Sequence, residues 1–412
     1  MDELREILEQ DLRRVGPAPF DLEQLATKRE GVRRARRLQA GVFGVVVVAA
    51  LIGLLAAALR TSNSSEPVTT PSARTNGWIV YTIIGRFRPG YELQGIYVAR
   101  PGTDPKRIVG ADGVGARGTC PSFSPDGSML SYTEGRDPSD PDSALEIVVT
   151  AVDESAVPVG SAQRIEVPSM GGRRGLCARW SPDGTALAYS ASGGLWVTPI
   201  DGGDARRLAE VSISGEPAWS PDGSIIAGMS GRDLLLISVD DGEVRGVPAQ
   251  TAGGSISWSP DGRAIAVGVE DGWEGGPNPG ITVIDPEHGT GQVLALGPGV
   301  TGGYPYWSPD GERIAFADEG RIHLVDPDTG HLVTLPGVAV PDPSPLQIAY
   351  VVDWSPDGQR LLAFGTDHQP ELAYCLVSVA ADGSAEPVLV SPVTVAFYNT
   401  TSRDFDWQGV PT

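Results

Sequence analysis

The 412-residue chain carries 31 basic and 52 acidic side chains, a formal net charge of -21 at pH 7. That sign repels phosphate backbones and argues against nucleic-acid binding, and three cysteines are too few for a disulfide scaffold. Lysine is confined to Lys28 and Lys106, so arginine supplies nearly all the positive charge, a bias typical of GC-rich bacterial coding sequences. The acid is not evenly spread: residues 1–39 hold nine basic and eight acidic side chains, residues 61–412 hold 21 and 44.

Leu4, Ile7, Leu8 and Leu12 recur at helical spacing and predict a short amphipathic helix that ends at Pro17 and Pro19. Asp21 is placed to cap a second helix running toward the arginines. Residues 1–39 are too few to bury a core, so the segment is expected to lie on the membrane or to fold on a cytoplasmic protein partner. Ala40 to Leu59 is twenty residues without a charge. At about 1.5 Å each they span about 30 Å, the thickness of a bilayer's hydrocarbon layer. A signal peptide would start earlier and end in a small-residue cleavage site, which Leu59-Arg60 does not provide. Arg33, Arg34, Arg36 and Arg37 immediately precede the span, which predicts a cytoplasmic N-terminus and an extracytoplasmic remainder. Residues 60–76 have the Ser/Thr/Pro composition of a solvated linker, and residues 77–412 form the large domain.

That domain is built on a repeat. Ser-Pro-Asp-Gly occurs six times, directly after Phe123, Trp180, Trp219, Trp258, Trp307 and Trp354, and a degenerate copy surrounds Trp407. Serine, proline and glycine at those positions suit a type I turn, with the aspartate bonding nearby backbone N–H groups. Each turn is followed by a short apolar strand, a third strand ending in an Asp/Gly turn, and a brief fourth. The position two before each aromatic (Pro121, Ala178, Pro217, Ile256, Pro305, Val352, Phe405) is apolar, as packing of one four-stranded unit on the next requires.

These W-S-P-D-G repeats, each followed by a strand such as Arg313-Ile314-Ala315-Phe316, resemble the TolB-type, WD-repeat-like β-propeller family over residues 77–409. The resemblance implies an all-β propeller and says little about function. Gly77 to Gly110 supplies three strands without an inner one, and Asp404 to Gly409 supplies an inner strand without the other three. Joined as one blade they close a ring of seven. The family's TolB members have six, which stays open as the alternative.

The sequence predicts no enzyme, no cofactor and no metal: no nucleophile elbow or P-loop occurs, and four histidines lie without a partner motif. Gly113 to Gly118 matches G-x-G-x-x-G but precedes a strand rather than a helix, so it is expected to be an inter-blade loop. Glu216, Asp353, Asp404 and Asp406 fall on inner strands beside the axis and are expected to line the channel, solvated or around a cation. Cys120 and Cys177 occupy equivalent positions in successive blades and are either disulfide-bonded or two buried thiols. Long insertions fall on one end of the blades, where Arg86, Arg88, Tyr91, Arg173, Arg174, Trp273 and His368 are candidate ligand contacts. Two functions fit: a membrane-anchored scaffold docking a protein, peptide or envelope ligand, or a transmembrane regulator. The layout of the second resembles membrane-bound anti-sigma factors, with the propeller as sensor.

Overall fold

The computed structural model describes residues 74–83, 95–110, 119–135, 144–168, 176–248, 255–269, 280–294, 296, 300, 303–337, 347–366, 374–391 and 405–411. The chain divides into two compact units, Met1–Pro71 and Ser72–Thr412. The expected cytoplasmic segment, span and nearly all of the linker lie outside the described residues. Among the described residues, no helix is long and apolar enough to cross a membrane.

The second unit is all-β: seven antiparallel sheets of four strands each. Blades are numbered from the one containing Trp78. Six of them use consecutive strands, with inner strands Thr119–Phe123, Arg179–Trp180, Ser214–Trp219, Ile256–Trp258, Tyr306–Trp307 and Gln347–Trp354. Blade 1 is composite. Phe405–Pro411 is its inner strand and pairs antiparallel with Arg74–Ile83, which continues to Gly95–Ala99 and Lys106–Val109. Seven blades are therefore present, one more than the TolB members of the resembled family.

The core is a ring of layers between neighbouring blades. Ile79 and Tyr81 pack with Leu362 and Phe364 of blade 7, while Val80, between them in sequence, packs with Phe123 and Leu130 of blade 2. A strand buried on both faces reads as a continuous apolar run, which is why Ile79-Val80-Tyr81 does not alternate with polar residues. Each of the seven junctions has its own cluster of this kind.

Every Ser-Pro-Asp-Gly segment is the same device. The glycine N–H donates to the serine carbonyl at 2.8–2.9 Å, and the serine hydroxyl donates to the aspartate at 2.5–2.7 Å. The six glycines have φ between 69° and 77°, the left-handed region that disfavours side chains. The turns also interlock, because the glycine of each lies against the proline of the preceding one. At Gly127 the neighbour is instead Gln408, which donates to its carbonyl at 2.7 Å and accepts from Trp78 N–H at 3.1 Å. On the opposite side, Asn76 exchanges hydrogen bonds with Asp357 of blade 7's turn. The chain thus enters and leaves the propeller on the face of these turns.

This arrangement sets the response to acid. At Asp126, Asp222 and Asp261 burial pushes the carboxyl up, but the serine and backbone donors outweigh it and hold it low. At Asp183 the Ser181 hydroxyl is the leading cause of the same lowering. His323 is 6% exposed, stacked on Phe316 and bonded to Thr334, and burial pushes its imidazole down. A lowered folded-state value means that the unfolded chain binds the extra proton, so stability falls as pH falls. Denaturation midpoints should therefore drop first as pH passes below about 6.5, through His323, and again below about 3.9, through the aspartates. His323→Phe should remove the first step; an unchanged step would refute the assignment.

Candidate functional site

Glu216, Asp353, Asp404 and Asp406, one or three residues before their aromatics, were expected to line the channel. Two of them also bond across a junction between blades. Asp406 accepts from Ser122 Oγ at 3.0 Å and Phe123 N–H at 2.6 Å, both in blade 2. Burial pushes its carboxyl up, against the pull of the Arg179 guanidinium and these donors. Arg179 of blade 3 forms an ion pair with Glu216 of blade 4, its Nε lying 2.7 Å from Oε2. Asp353 accepts from Trp354 N–H at 2.8 Å. Asp404 lies outside the described residues. Among the described residues, no three His, Cys, Asp or Glu side chains converge as a metal site.

The same geometry explains the tryptophans. The indole N–H of Trp180 donates to Ser122 O, that of Trp219 to Arg179 O, that of Trp258 to Ala218 O and that of Trp354 to Tyr306 O, at 3.0–3.1 Å. Each acceptor is the residue before the preceding blade's aromatic, so the motif tryptophan staples blade to blade. Phe123 has no such donor, and its junction is the one bridged by the Asp406 carboxylate. Trp307 and Trp407 leave the indole N–H without a partner. At the Trp307 junction its backbone N–H bonds Ser257 Oγ at 2.9 Å instead. Sequence alone marked these aromatics as packing residues; the signal missed was that six of the seven carry an indole N–H, four of which bond in one fixed register.

Cys120 and Cys177 are joined by a disulfide with Cα atoms 5.1 Å apart, both buried. Cys120 has φ 53°, unusual for a residue with a side chain. Cys375, buried in the third strand of blade 7 and outside the disulfide, donates its Sγ–H to Gly365 O at 3.8 Å. Of the histidines assigned no partner, His288 bonds Asp285 at 2.8 Å on an exposed turn, and the carboxylate pushes its imidazole up.

The two faces differ in kind. The turns after first and third strands hold 20 acidic and three arginine side chains, and all of these turns are short. The opposite, insertion face receives the connectors after second and fourth strands, among them residues 84–94, 136–144, 270–279 and 392–404. Arg86, Arg88, Tyr91, Arg173, Arg174, Trp273 and His368 fall in these connectors, outside the described residues. What is described is the frame beneath. Glu134 and Glu146, cross-strand partners buried at the insertion end of blade 2, both accept from Arg164 at 3.1 Å. Thr133 Oγ1 donates to Leu176 O at 2.7 Å, tying blade 2 to the connector that enters blade 3.

No protein-family model matches the sequence, and no curated protein matches it. Solved structures do. TolB from Acinetobacter baumannii is 19% identical, with 68% of this chain and 67% of that chain covered and a TM-score of 0.45. An oligogalacturonate lyase from Vibrio parahaemolyticus is 14% identical, covering 79% and 89%, with a TM-score of 0.53. A periplasmic gluconolactonase from Pseudomonas aeruginosa is 17% identical, covering 82% and 100%, with a TM-score of 0.51. At such identities the likeness is one of fold. It corrects the expectation of no catalytic function: enzymes are built on this propeller, so the missing hydrolase and phosphate-loop motifs exclude only the chemistries that need them. In fold, the seven four-stranded sheets, the first of them completed by the last strand, make the chain a seven-bladed β-propeller.

Proposed function

We propose that the chain is a membrane-tethered binding propeller that docks an envelope ligand on its insertion face, with residues 1–39 cytoplasmic. The carrying observation is the contrast between faces. One is closed by interlocked tight turns, bears 20 acidic against three arginine side chains and receives both ends of the propeller; the other bears the long connectors. Rigid scaffolds place recognition on such loops. The tether is supported by the uncharged run Ala40 to Leu59 and the arginines before it. The second function considered, a regulator with the propeller as sensor, uses the same face and adds a partner for the Leu4–Leu12 stripe.

Two measurements test this. A reporter active only outside the cytoplasm should give signal when fused after residue 76 and none when fused after residue 30; the opposite result would overturn the orientation. Capture of envelope components by the full chain should fall at least about tenfold when Arg86, Arg88, Tyr91 and Trp273 are changed together to Ala, since a few anchors carry most binding energy. Changing Asp183, Asp222 and Asp261 to Asn should leave capture unchanged. Equal capture by the loop variant would refute the insertion face as the docking surface.

A further inference from the structure

The outermost strand of a blade leaves one edge unpaired, and on six of the seven blades that edge is guarded. Lys106–Val109 of blade 1 carries Lys106 and Arg107, and Arg206–Ala209 of blade 3 carries Arg206 and Arg207. Pro158–Glu166 of blade 2 has Pro158, Arg164 and a break in register, and Val244–Pro248 of blade 4 has Arg245 and Pro248. Leu332–Thr334 of blade 6 is only three residues long. Val388–Ser391 of blade 7 is covered in part by blade 1, whose Gly102 N–H donates to Leu389 O at 3.4 Å. Charge, proline, bulges, brevity and cover all keep a sheet edge from pairing with another chain.

Thr290–Leu294 of blade 5 has none of these. It is five residues long, holds no charge and no proline, and pairs with Gly280–Asp285 in unbroken register. Thr290 to Val293 are exposed, and Val293, at 50%, is the most exposed large hydrophobic side chain among the described residues. The strand opens the longest uncharged run of residues 77–412, from 289 to 309, in a chain 20% of whose residues are charged. What the edge presents follows from the turn before it. Asp285 O accepts from Gly289 N–H at 2.9 Å, so Asp285 and its ladder partner Thr290 face each other. Alternation then turns the N–H and C=O of Gly291 and Val293 outward.

We propose that Thr290–Leu294 is a self-pairing edge, through which two copies of this chain join their fifth blades antiparallel into one continuous sheet. Pairing about Gln292 sets Gly291 of one copy opposite Val293 of the other, where their outward backbone groups exchange hydrogen bonds. The contact is isologous, the same five residues on both sides, and strand addition draws its affinity from such main-chain bonds. Charge favours a second copy in this arrangement. With a net charge of -21 on each, two copies repel over most of their surface, but this strand brings no charge against its counterpart. Antiparallel pairing also carries the acidic turns before the strands, with Asp285 and Glu287, to opposite ends of the joint. Since the edge stands on the rim of a ring, little other surface is buried with it, and the dimer is weak and reversible.

The test is sedimentation of the detergent-solubilised full chain over a wide range of concentration, where a monomer–dimer equilibrium is expected. Val293→Lys gives blade 5 the kind of guard its neighbours carry and should weaken association at least about tenfold. Val333→Lys, at a comparably exposed valine on the outer strand of blade 6, should leave it unchanged. Gln292→Cys should form a covalent dimer on oxidation, because its own counterpart stands opposite within disulfide reach. Thr290→Cys, opposite Leu294 in the same register, should not. Thermal melting of each variant separates loss of pairing from loss of the fold, and the cysteine variants test the register without adding charge. A monomer at every concentration, undiminished association of folded Val293→Lys, or cross-linking of Thr290→Cys as efficient as that of Gln292→Cys would each overturn the proposal.

Discussion

Deleting Phe405 to Thr412 is expected to abolish the closed ring and leave the chain unfolded or aggregated at ambient temperature. The segment is the inner strand of a blade whose other three strands lie at the opposite end of the domain, from Arg74–Ile83 to Lys106–Val109. Without it blade 1 loses Trp407, which is 5% exposed, and with it about 3–5 kcal/mol of burial. The latch to blade 2 goes as well: the Asp406 bonds to Ser122 and Phe123, and the Gln408 bonds to Gly127 and Trp78. Two sheet edges are then left open, and unpaired edges invite intermolecular pairing. Together these losses match the whole stability of an ordinary domain, about 5–15 kcal/mol. Size-exclusion chromatography and thermal melting of residues 1–404 beside the full chain decide the matter. Equal melting of the two would show that blade 1 does not close the ring.

The second large effect distinguishes tryptophans that look alike in sequence. Trp354 is 4% exposed, donates to Tyr306 O at 3.0 Å and lies beneath the Arg313 guanidinium. Trp354→Ala should cost about 3–5 kcal/mol through lost burial and the cavity left behind. Trp354→Phe keeps most of the volume and should cost about 1–2 kcal/mol, the staple bond and the stranded carbonyl. Trp307→Phe should cost less than about 0.5 kcal/mol, because its indole N–H has no partner to lose. Urea denaturation of the three variants measures the differences. If Trp307→Phe and Trp354→Phe were equally costly, the staple would not be the reason for tryptophan at this position.

Much of the fold was legible because the repeat is local chemistry. Serine, proline, aspartate and glycine each have a turn conformation that they favour on their own, and six copies at blade-like spacing leave little else to build. The seventh blade was the favoured reading, since three strands at one end of the chain and one at the other complete each other, and the pairing of Phe405–Pro411 with Arg74–Ile83 decided it against six. The acidic inner-strand residues were less so. Position before an aromatic says that Asp406 and Glu216 lie near the axis, but not that Asp406 reaches Ser122 of the following blade and Glu216 reaches Arg179 of the preceding one.

What the sequence determined by itself is whatever depends on nearest neighbours along the chain: the turns and the order of strands within each repeat. What only the tertiary structure decided is which groups meet across the junctions. The indole staples, the Asp406 latch in place of the donor that Phe123 lacks, the Gln408 contact at Gly127 and the Cys120–Cys177 bond all join residues whose relation is set by the angle between adjacent sheets. Hydrogen bonds require donor and acceptor within a few tenths of an ångström. Backbone pattern fixes a residue's face but not its distance to the neighbouring blade, so those bonds become visible only once the ring is closed.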